Sequence, residues 1–426
     1  MTTEKIVISR TKYGVWSALL RDSRVLELAF DRHGEFIQVG NIFRGKVSRI
    51  LPGLNGAFID IGFTKNGFIH SRDVLVRSQV AVEDDLRTES PIHLNLREGE
   101  LLLVQVTKEA IGSKPFRLSS NLSLAGRNLV YTPKKSGIKI SRRLDFEEDH
   151  QRLKNILIKL KEKKVFSDVD GFIVRSNGKN ASEEQFFAEI ETLQNQWGEI
   201  KKASNLMNGV GLLYANRARA IEFLRDRLGS SALEVLVDDD TLYEQACELI
   251  QTQLARQEIA VKKYRGAISL FKKFDLDQVV DNICRRNIAL RSGGMIVIEL
   301  TEALVSIDVN SARSEQKAPS SVVNLKTNLE AAREIAFQLR LRNLGGIIVI
   351  DFINMNSNAD KEKLRNSLNY WLEDDPAKTT VHEISALGLL EMSRQRSRKS
   401  LFEIFHERCS ECDGLGLRQS TKVIGN

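Results

Sequence analysis

Apolar and polar residues alternate in short runs over the first part of the chain. Lys5 to Ile37 reads as strands folded about Gly14 and an Asp31-Arg32-His33-Gly34 turn. From Asn41 the succession tightens: Ile42 to Ile50, a Leu51-Pro52-Gly53 turn, Ala57 to Ile61, a Lys65-Asn66-Gly67 turn, then Phe68 onward. Short strands broken by Gly and Asn turns predict a small barrel, completed by Leu101 to Val106 after a charged loop from Arg77 to Pro91. The period then lengthens, with Leu153, Ile156, Leu157 and Leu160 at helical spacing over Arg152 to Lys163. A strand from Phe172 to Arg175 and a helix from Ser182 to about Ala203 follow. Helix and strand alternate from Arg217 to Val237, and helix resumes through Leu254. Met295 to Asn310 predicts a hairpin turning near Glu302, Asn328 to Arg342 a helix, and Ile347 to Phe352 a buried strand. Thr327-Asn328-Leu329-Glu330 has capping-box spacing and sets the predicted start of that helix.

Composition narrows the class. A chain of 426 residues is too long for one core, so several domains are expected. With 42% hydrophobic residues, 28% charged and 6 prolines it is a folding chain, not a disordered one. The 63 basic residues exceed the 56 acidic ones by a net +7, which fits a local basic surface for a polyanion or simply a balanced solvated one. No run approaches the length of a membrane span, and Met1 to Arg21 carries charges throughout and no signal-like apolar stretch. The 4 cysteines make no disulfide framework, so reduced thiols or metal ligands in a cytoplasmic protein are expected. There is no internal repeat.

In Ser306-Ile307-Asp308-Val309-Asn310 the period of two puts Ser306, Asp308 and Asn310 on one strand face and Ile307 and Val309 on the other. In Gly346 to Phe352, Asp351 ends an apolar run that reads as a strand covered on both faces. Two such carboxylates at the ends of adjacent strands suit Mg²⁺, which takes one or two carboxylates, retained waters and phosphate oxygens. Such a metal lowers the pKa of a bound water and stabilises charge on a phosphate. The alternative is that Asp308 caps a turn and Asp351 pairs with Arg340 or Arg342. Cys409-Ser410-Glu411-Cys412 is half of a tetrahedral zinc site, to be completed by a second copy of the chain or, in part, by His406, or else a pair of unliganded thiols. Cys247 and Cys284 read as small buried hydrophobes.

Thr301 to Leu304, Ser306 to Arg313, Thr327 to Ala332, Gln338 to Gly346, Ile348 to Ile353 and Leu389 to Arg396 (LLEMSRQR) together resemble the catalytic region of the ribonuclease E/G family. The resemblance implies a DNase I-like catalytic domain in which Asp308 and Asp351 hold Mg²⁺ and Asn310 positions the scissile phosphate. It implies endonucleolytic cleavage of AU-rich single-stranded RNA, in mRNA decay or rRNA processing, leaving a 5′-phosphate on the downstream product. Gly45-Lys46-Val47, Gly56 to Asp60 and Asn66-Gly67-Phe68 resemble an S1 domain, an OB fold, with Phe58, Phe68 and Lys114 at RNA-contacting positions. By pattern alone the two phenylalanines fit a core equally well. Gly171 to Ser176 resembles the family's 5′-monophosphate sensor, with Arg175 and Ser176 as its contacts; without the resemblance Arg175 is an ordinary strand-end arginine. The resemblance also implies a structural Zn²⁺ shared by Cys409 and Cys412 of two protomers, hence a homodimer.

The expected class is multidomain α/β. Residues 1–37 and 217–285 form a discontinuous RNase H-like domain that brackets an S1 barrel (38–125) and a 5′-sensor region (126–216). A DNase I-like domain (286–405) and a zinc-link and tail (406–426) follow. No membrane span, no small C-terminal domain and no degradosome scaffold are expected. The chain departs from the family pattern at Asn354 (usually Asp), at Ala386 (usually Arg), at Pro115 after Lys114 (usually Gly), at the missing proline of the Cys-x-x-Cys, and in the loop Glu315 to Val322. Asn354 and Ala386 alone support an alternative, a non-catalytic RNA-binding protein of the same fold, against which Asp308, Asn310 and Asp351 stand. A ribosome-associated structural protein and an exonuclease are further alternatives.

Overall fold

A computed structural model describes residues 4–33, 37–75, 91–110, 114–141, 144, 147–216, 218–227, 233–253, 259–311, 320–385, 387–396, 398–407, 409–412, 414 and 416. Ala386, Arg313, most of the Glu315 to Val322 loop and nearly all of the Arg77 to Pro91 loop lie outside the described residues. The chain divides into two compact units, one of Met1–Ser17 with Phe30–Leu270 and one of Ala18–Ala29 with Phe271–Asn426. The expected mixed α/β class with a β-barrel is what it adopts.

The first strands are β1 (Glu4–Arg10), β2 (Gly14–Arg21) and β3 (Arg24–Arg32). The barrel follows, from β4 (Ile42–Leu51), β5 (Gly56–Asp60), β6 (Gly67–His70), the single turn α1 (Ile92–Asn95), β7 (Leu101–Lys108) and β8 (Arg117–Ser119). Next come β9 (Leu124–Ala125), β10 (Leu129–Thr132), β11 (Gly137–Ile140), α2 (Glu147–Glu162), β12 (Gly171–Val174), α3 (Glu183–Leu206) and β13 (Gly211–Tyr214). The unit ends on α4 (Arg219–Arg227), β14 (Leu233–Val237), α5 (Asp240–Gln253) and β15 (Ala260–Lys263). Strands β15, β14, β1, β2 and β3 lie in that order in one sheet, with β1, β14 and β15 parallel.

In the barrel, β4 pairs with β5 on one side and β7 on the other, and the ring closes through β6 and β8. Alternation does the rest: Phe43, Val47, Ala57, Ile59, Ile69, Val104 and Leu118 fill the interior. A Cβ on Gly56 would come within 2.3 Å of the Phe68 ring, so only glycine lets that ring lie across β5. The four-stranded sheet β11-β12-β10-β9 is covered by α2 and α3, with Leu153, Leu157, Phe172, Val174, Phe186 and Ile190 between the layers. Helix α2 begins at Glu147, five residues before the predicted Arg152, because its first turn is polar and carries no periodic signal.

The second unit holds α7 (Leu276–Ile283), reached through the short α6 (Leu270–Lys273), then β16 (Asn287–Ala289), β17 (Met295–Leu300), β18 (Leu304–Asn310), α8 (Ser320–Leu341) and β19 (Gly346–Asp351). It ends with α9 (Asn358–Leu372), β20 (Thr379–Ile384), β21 (Leu389–Arg394) and α10 (Leu401–Phe405). One sheet runs β16-β17-β18-β19-β21-β20, with β18 and β19 parallel and the other pairs antiparallel. Helices α8 and α9 cover one face, seating Ile335, Leu339, Leu364 and Leu368 on Ile307, Ile348, Ile350 and Leu390. Arg394 on β21 and Asp375 beyond α9, each 2% exposed, join through two hydrogen bonds of 2.8 and 2.9 Å and fix one end of this layer.

Two expectations are corrected here. Strand β19 is covered on one face only: Ile348 and Ile350 are buried, but Ile347 is 59% exposed and Asp351 faces solvent beside it. An unbroken apolar run therefore reflects one buried face and one open one. Helix α8 starts at Ser320, so the Thr327 to Glu330 spacing is not a helix start. Thr327 is buried against Gly294, and the Glu330 carboxylate accepts from the backbone N–H of Arg291 (2.6 Å) and Ser292 (3.1 Å). Among the described residues, no helix is long and apolar enough to cross a membrane.

Candidate active site and candidate nucleic-acid interface

The open face of the second unit's sheet carries the paired carboxylates. Parallel register sets Asp308 of β18 directly beside Asp351 of β19, and both side chains are exposed. Neighbouring strands are about 4.8 Å apart, so two side chains in register on one face can share one small cation. Asn310, two residues along the same face, donates from Nδ2 to Asp308 Oδ2 at 2.6 Å and fixes that carboxylate's rotamer. Neither aspartate has a basic partner among the described residues. Arg340 instead pairs with Glu27, its Nε 2.7 Å from Oε1. Arg342 is buried and donates to Gln338 Oε1 (2.7 Å), the Arg285 carbonyl (2.9 Å) and the Asn282 carbonyl (3.3 Å). The ion-pair alternative for Asp351 is thereby removed.

The donor set fits a hard divalent cation: two water-facing carboxylates in register, with no cationic partner among the described residues. No third His, Cys, Asp or Glu joins them among the described residues, which leaves positions for water and phosphate oxygens. The loop after Asp351 is held by Asn328, fully buried on α8, whose amide accepts from Ile353 N–H (3.0 Å) and donates to Ile353 C=O (2.7 Å). In the sequence Asn328 lies within the capping-box spacing; its signal is an asparagine at a helix position facing the core. Asn354 is exposed, with its carbonyl accepting from Asn324 at 3.3 Å.

On the barrel, Phe58 and Phe68 lie opposite each other on β5 and β6, half-buried on the outer face, ring centroids 5.8 Å apart and edge to face. They are not part of the interior, so the core reading of these two rings does not hold. The same row continues to Arg49 on β4, opposite Phe58, and to Arg117 on β8, opposite Phe68. Arg49 is exposed, while Arg117 is held by Asp73 at 2.9 Å. Neither arginine stood out in the sequence, because only strand pairing brings them to the aromatic pair. Lys114 is exposed three residues before Arg117.

Arg175 follows β12 and sits at the start of a short 3₁₀ turn, Ser176–Asn180. Its backbone N–H donates to the Asn128 carbonyl (2.7 Å), and Nη1 donates to the Gly126 carbonyl (2.6 Å) and Asp226 Oδ1 (2.9 Å). Ser176 Oγ lies 3.4 Å from Ser141 Oγ. At the C-terminal end, Cys409 is exposed and Cys412 half-exposed. The Cys409 thiol is held below its ordinary value because its sulfur accepts from the Cys412 and Glu411 backbone N–H groups and the Cys412 thiol. Gly416 N–H points at Cys412 Sγ at 3.3 Å. His406 stacks on Phe402, its Nδ1 2.8 Å from the Phe402 carbonyl oxygen, and does not gather with the cysteines.

Comparison with known proteins bears on what these sites share. Residues 123–397 match the family described as Ribonuclease E/G. Ribonuclease G of Escherichia coli strain K12 is 31% identical over 426 residues, covering 99% of this chain and 86% of that protein. Ribonuclease E of Synechocystis is 34% identical over 417 residues (97% of this chain, 60% of that protein). Ribonuclease E of Haemophilus influenzae is 36% identical over 404 residues, covering 94% of this chain and 42% of that protein.

Proposed function

The chain belongs to the ribonuclease E/G family, and on that premise we propose that this endoribonuclease hydrolyses AU-rich single-stranded RNA at Asp308 and Asp351 with Mg²⁺. The carrying observation is the in-register carboxylate pair on an open sheet face, with Asn310 bonded to one member. In this reading Asp308 and Asp351 hold the ion, which when bound supplies positive charge to the scissile phosphate and acidifies a water. Asn310 keeps Asp308 in its metal-facing rotamer and offers an amide to the phosphate. Hydrolysis leaves the 5′-phosphate on the downstream product.

Other parts deliver and position the strand. The barrel (38–125) acts as the S1 domain, with bases stacking on Phe58 and Phe68 while Arg49 and Lys114 meet phosphates. Arg175 and Ser176 bind a 5′-monophosphate, the guanidinium by paired hydrogen bonds. Residues 286–405 are the DNase I-like domain, and 1–37 with 217–285 the RNase H-like one. Cys409 and Cys412 supply two zinc ligands and a second protomer the other two, in a cytoplasmic setting that keeps thiols reduced.

The deciding experiment uses an internally labelled AU-rich oligonucleotide bearing a 5′-monophosphate. Wild type with Mg²⁺ should give discrete internal fragments. Asp308→Asn, Asp351→Asn or chelator should lower the rate by about a thousandfold or more, the scale of lost metal-assisted charge stabilisation. Intact RNA bound by every protein would replace this reading with the non-catalytic RNA-binding one, and mononucleotide products would indicate an exonuclease.

A further inference from the structure

Behind Arg175 lies a charged cluster that the cleavage chemistry does not use. The turn Gly126–Asn128 joins β9 to β10 and is pinned by Glu189 of α3. This carboxylate accepts from the Asn128 backbone (2.9 Å) and side chain (2.9 Å) and from the Leu129 backbone (3.2 Å). A Cβ on Gly126 would meet Glu189 Oε1 at 1.9 Å, so the turn closes this tightly only with glycine. Arg225, on α4, donates from Nη1 to the Ala125 carbonyl (2.8 Å) and from Nε to Asp226 Oδ1 (3.0 Å). Asp226 thus bridges two guanidiniums; burial opposes its charge, but Arg225 and Arg175 outweigh burial and hold its carboxyl below the ordinary range.

Arg175 Nη1 has two hydrogens, and Gly126 O and Asp226 Oδ1 take both. Nε and Nη2 meet no protein acceptor among the described residues, and the side chain keeps 27% exposure. The Nε–Nη2 edge is a two-donor fork that matches two oxygens of a phosphate. We infer that Asp226 is a positioning residue for Arg175: by taking Nη1 it turns the Nε–Nη2 edge outward to grip a terminal RNA phosphate. Asp226 lies on α4, outside the expected sensor range of 126–216, so recognition of the RNA end draws on a neighbouring element of the same unit.

The inference rests on the reading of Arg175 as a 5′-phosphate contact, and the test separates the two. The readout is the ratio of kcat/KM for 5′-monophosphorylated over 5′-hydroxyl oligonucleotide, which cancels any general loss of activity. Asp226→Ala should lower that ratio by about tenfold, the scale of one charge-assisted hydrogen bond, with the loss in KM of the phosphorylated substrate. Asp226→Asn, which keeps the acceptor oxygen, should restore most of it. If Asp226→Ala does not fold, Arg225→Met/Asp226→Leu removes the neighbouring cation together with the carboxylate and should show the same loss. A wild-type ratio in the alanine or double variant, while Arg175→Gln lowers it, would overturn the role of Asp226 alone. A ratio of one in the wild type, or one that Arg175→Gln leaves unchanged, would overturn the Arg175 reading and this inference with it.

Discussion

At the scale of single residues, what a sequence discloses depends on whether a residue's partner is near it in the chain. Asp308 and Asn310 are legible because a period of two places them on one face, and the 2.6 Å bond between them follows from that spacing. Asp351 is legible as a carboxylate ending an apolar run. Asn328 is not, since its partner is Ile353 and only the packing of α8 on the sheet unites them. That pairing predicts a selective effect. Replacing Asn328 by Ala leaves the Ile353 N–H and C=O without partners and should cost about 1–3 kcal/mol in urea unfolding. Because Ile353 is two residues from Asp351, kcat should fall more than RNA affinity. Asn328→Asp, which can accept from Ile353 N–H but cannot donate to its C=O once ionised, should fall between. An Asn328→Ala protein that is destabilised yet keeps full kcat would show that the bracket serves stability alone.

Elements were readable wherever hydrophobic periodicity was strong, and misread where a local motif had a tertiary use. The barrel strands, the hairpin of β17 and β18 and the helix α3 fall close to their predicted bounds. The start of α8 does not, because Thr-x-x-Glu spacing is degenerate: the same two residues pack on Gly294 and hold the turn before β17. The Glu330 carboxyl lies below its ordinary value: burial works against its charge, but hydrogen bonds from Ser292 and Arg291, with the Arg291 charge, outweigh it. A depressed carboxyl stabilises the fold above its unfolded pKa, about 4.3 for Glu, and loses that contribution as pH falls through the lower folded value. Wild type should therefore be more stable than Glu330→Gln at neutral pH, by a modest margin because the site is partly solvated. The gap should close as urea unfolding is followed from pH 7 to below pH 4. A gap that stays constant over that range would mean that the turn is held by shape and not by the ionised carboxylate.

For the whole chain, composition announced only a folded multidomain protein with a modest basic surplus. The carboxylate pair became specific through the length of the family resemblance, which spacing by itself could not supply. The cysteine pair is the remaining element, and the proposal gives it a partner in a second chain. Two thiolates give half of the tetrahedral set that structural zinc takes, and among the described residues no third ligand gathers with them. Sulfur-directed N–H groups already favour the Cys409 thiolate, the form that binds metal. Completion by a second copy has a stoichiometric signature: one zinc ion per two chains by elemental analysis, against one per chain if a single chain closes the site. Cys409→Ser/Cys412→Ser should lose the zinc and shift the mass measured by light scattering from dimer to monomer. On the same proposal a strong chelator should do the same to the wild type, because removing a shared ion removes the contact it would hold. Cleavage of a short oligonucleotide by the monomer should persist, because Asp308, Asp351 and Asn310 all come from one chain. A variant that loses zinc but remains a dimer would move the subunit contact to another surface and leave the cysteines as a site within one protomer.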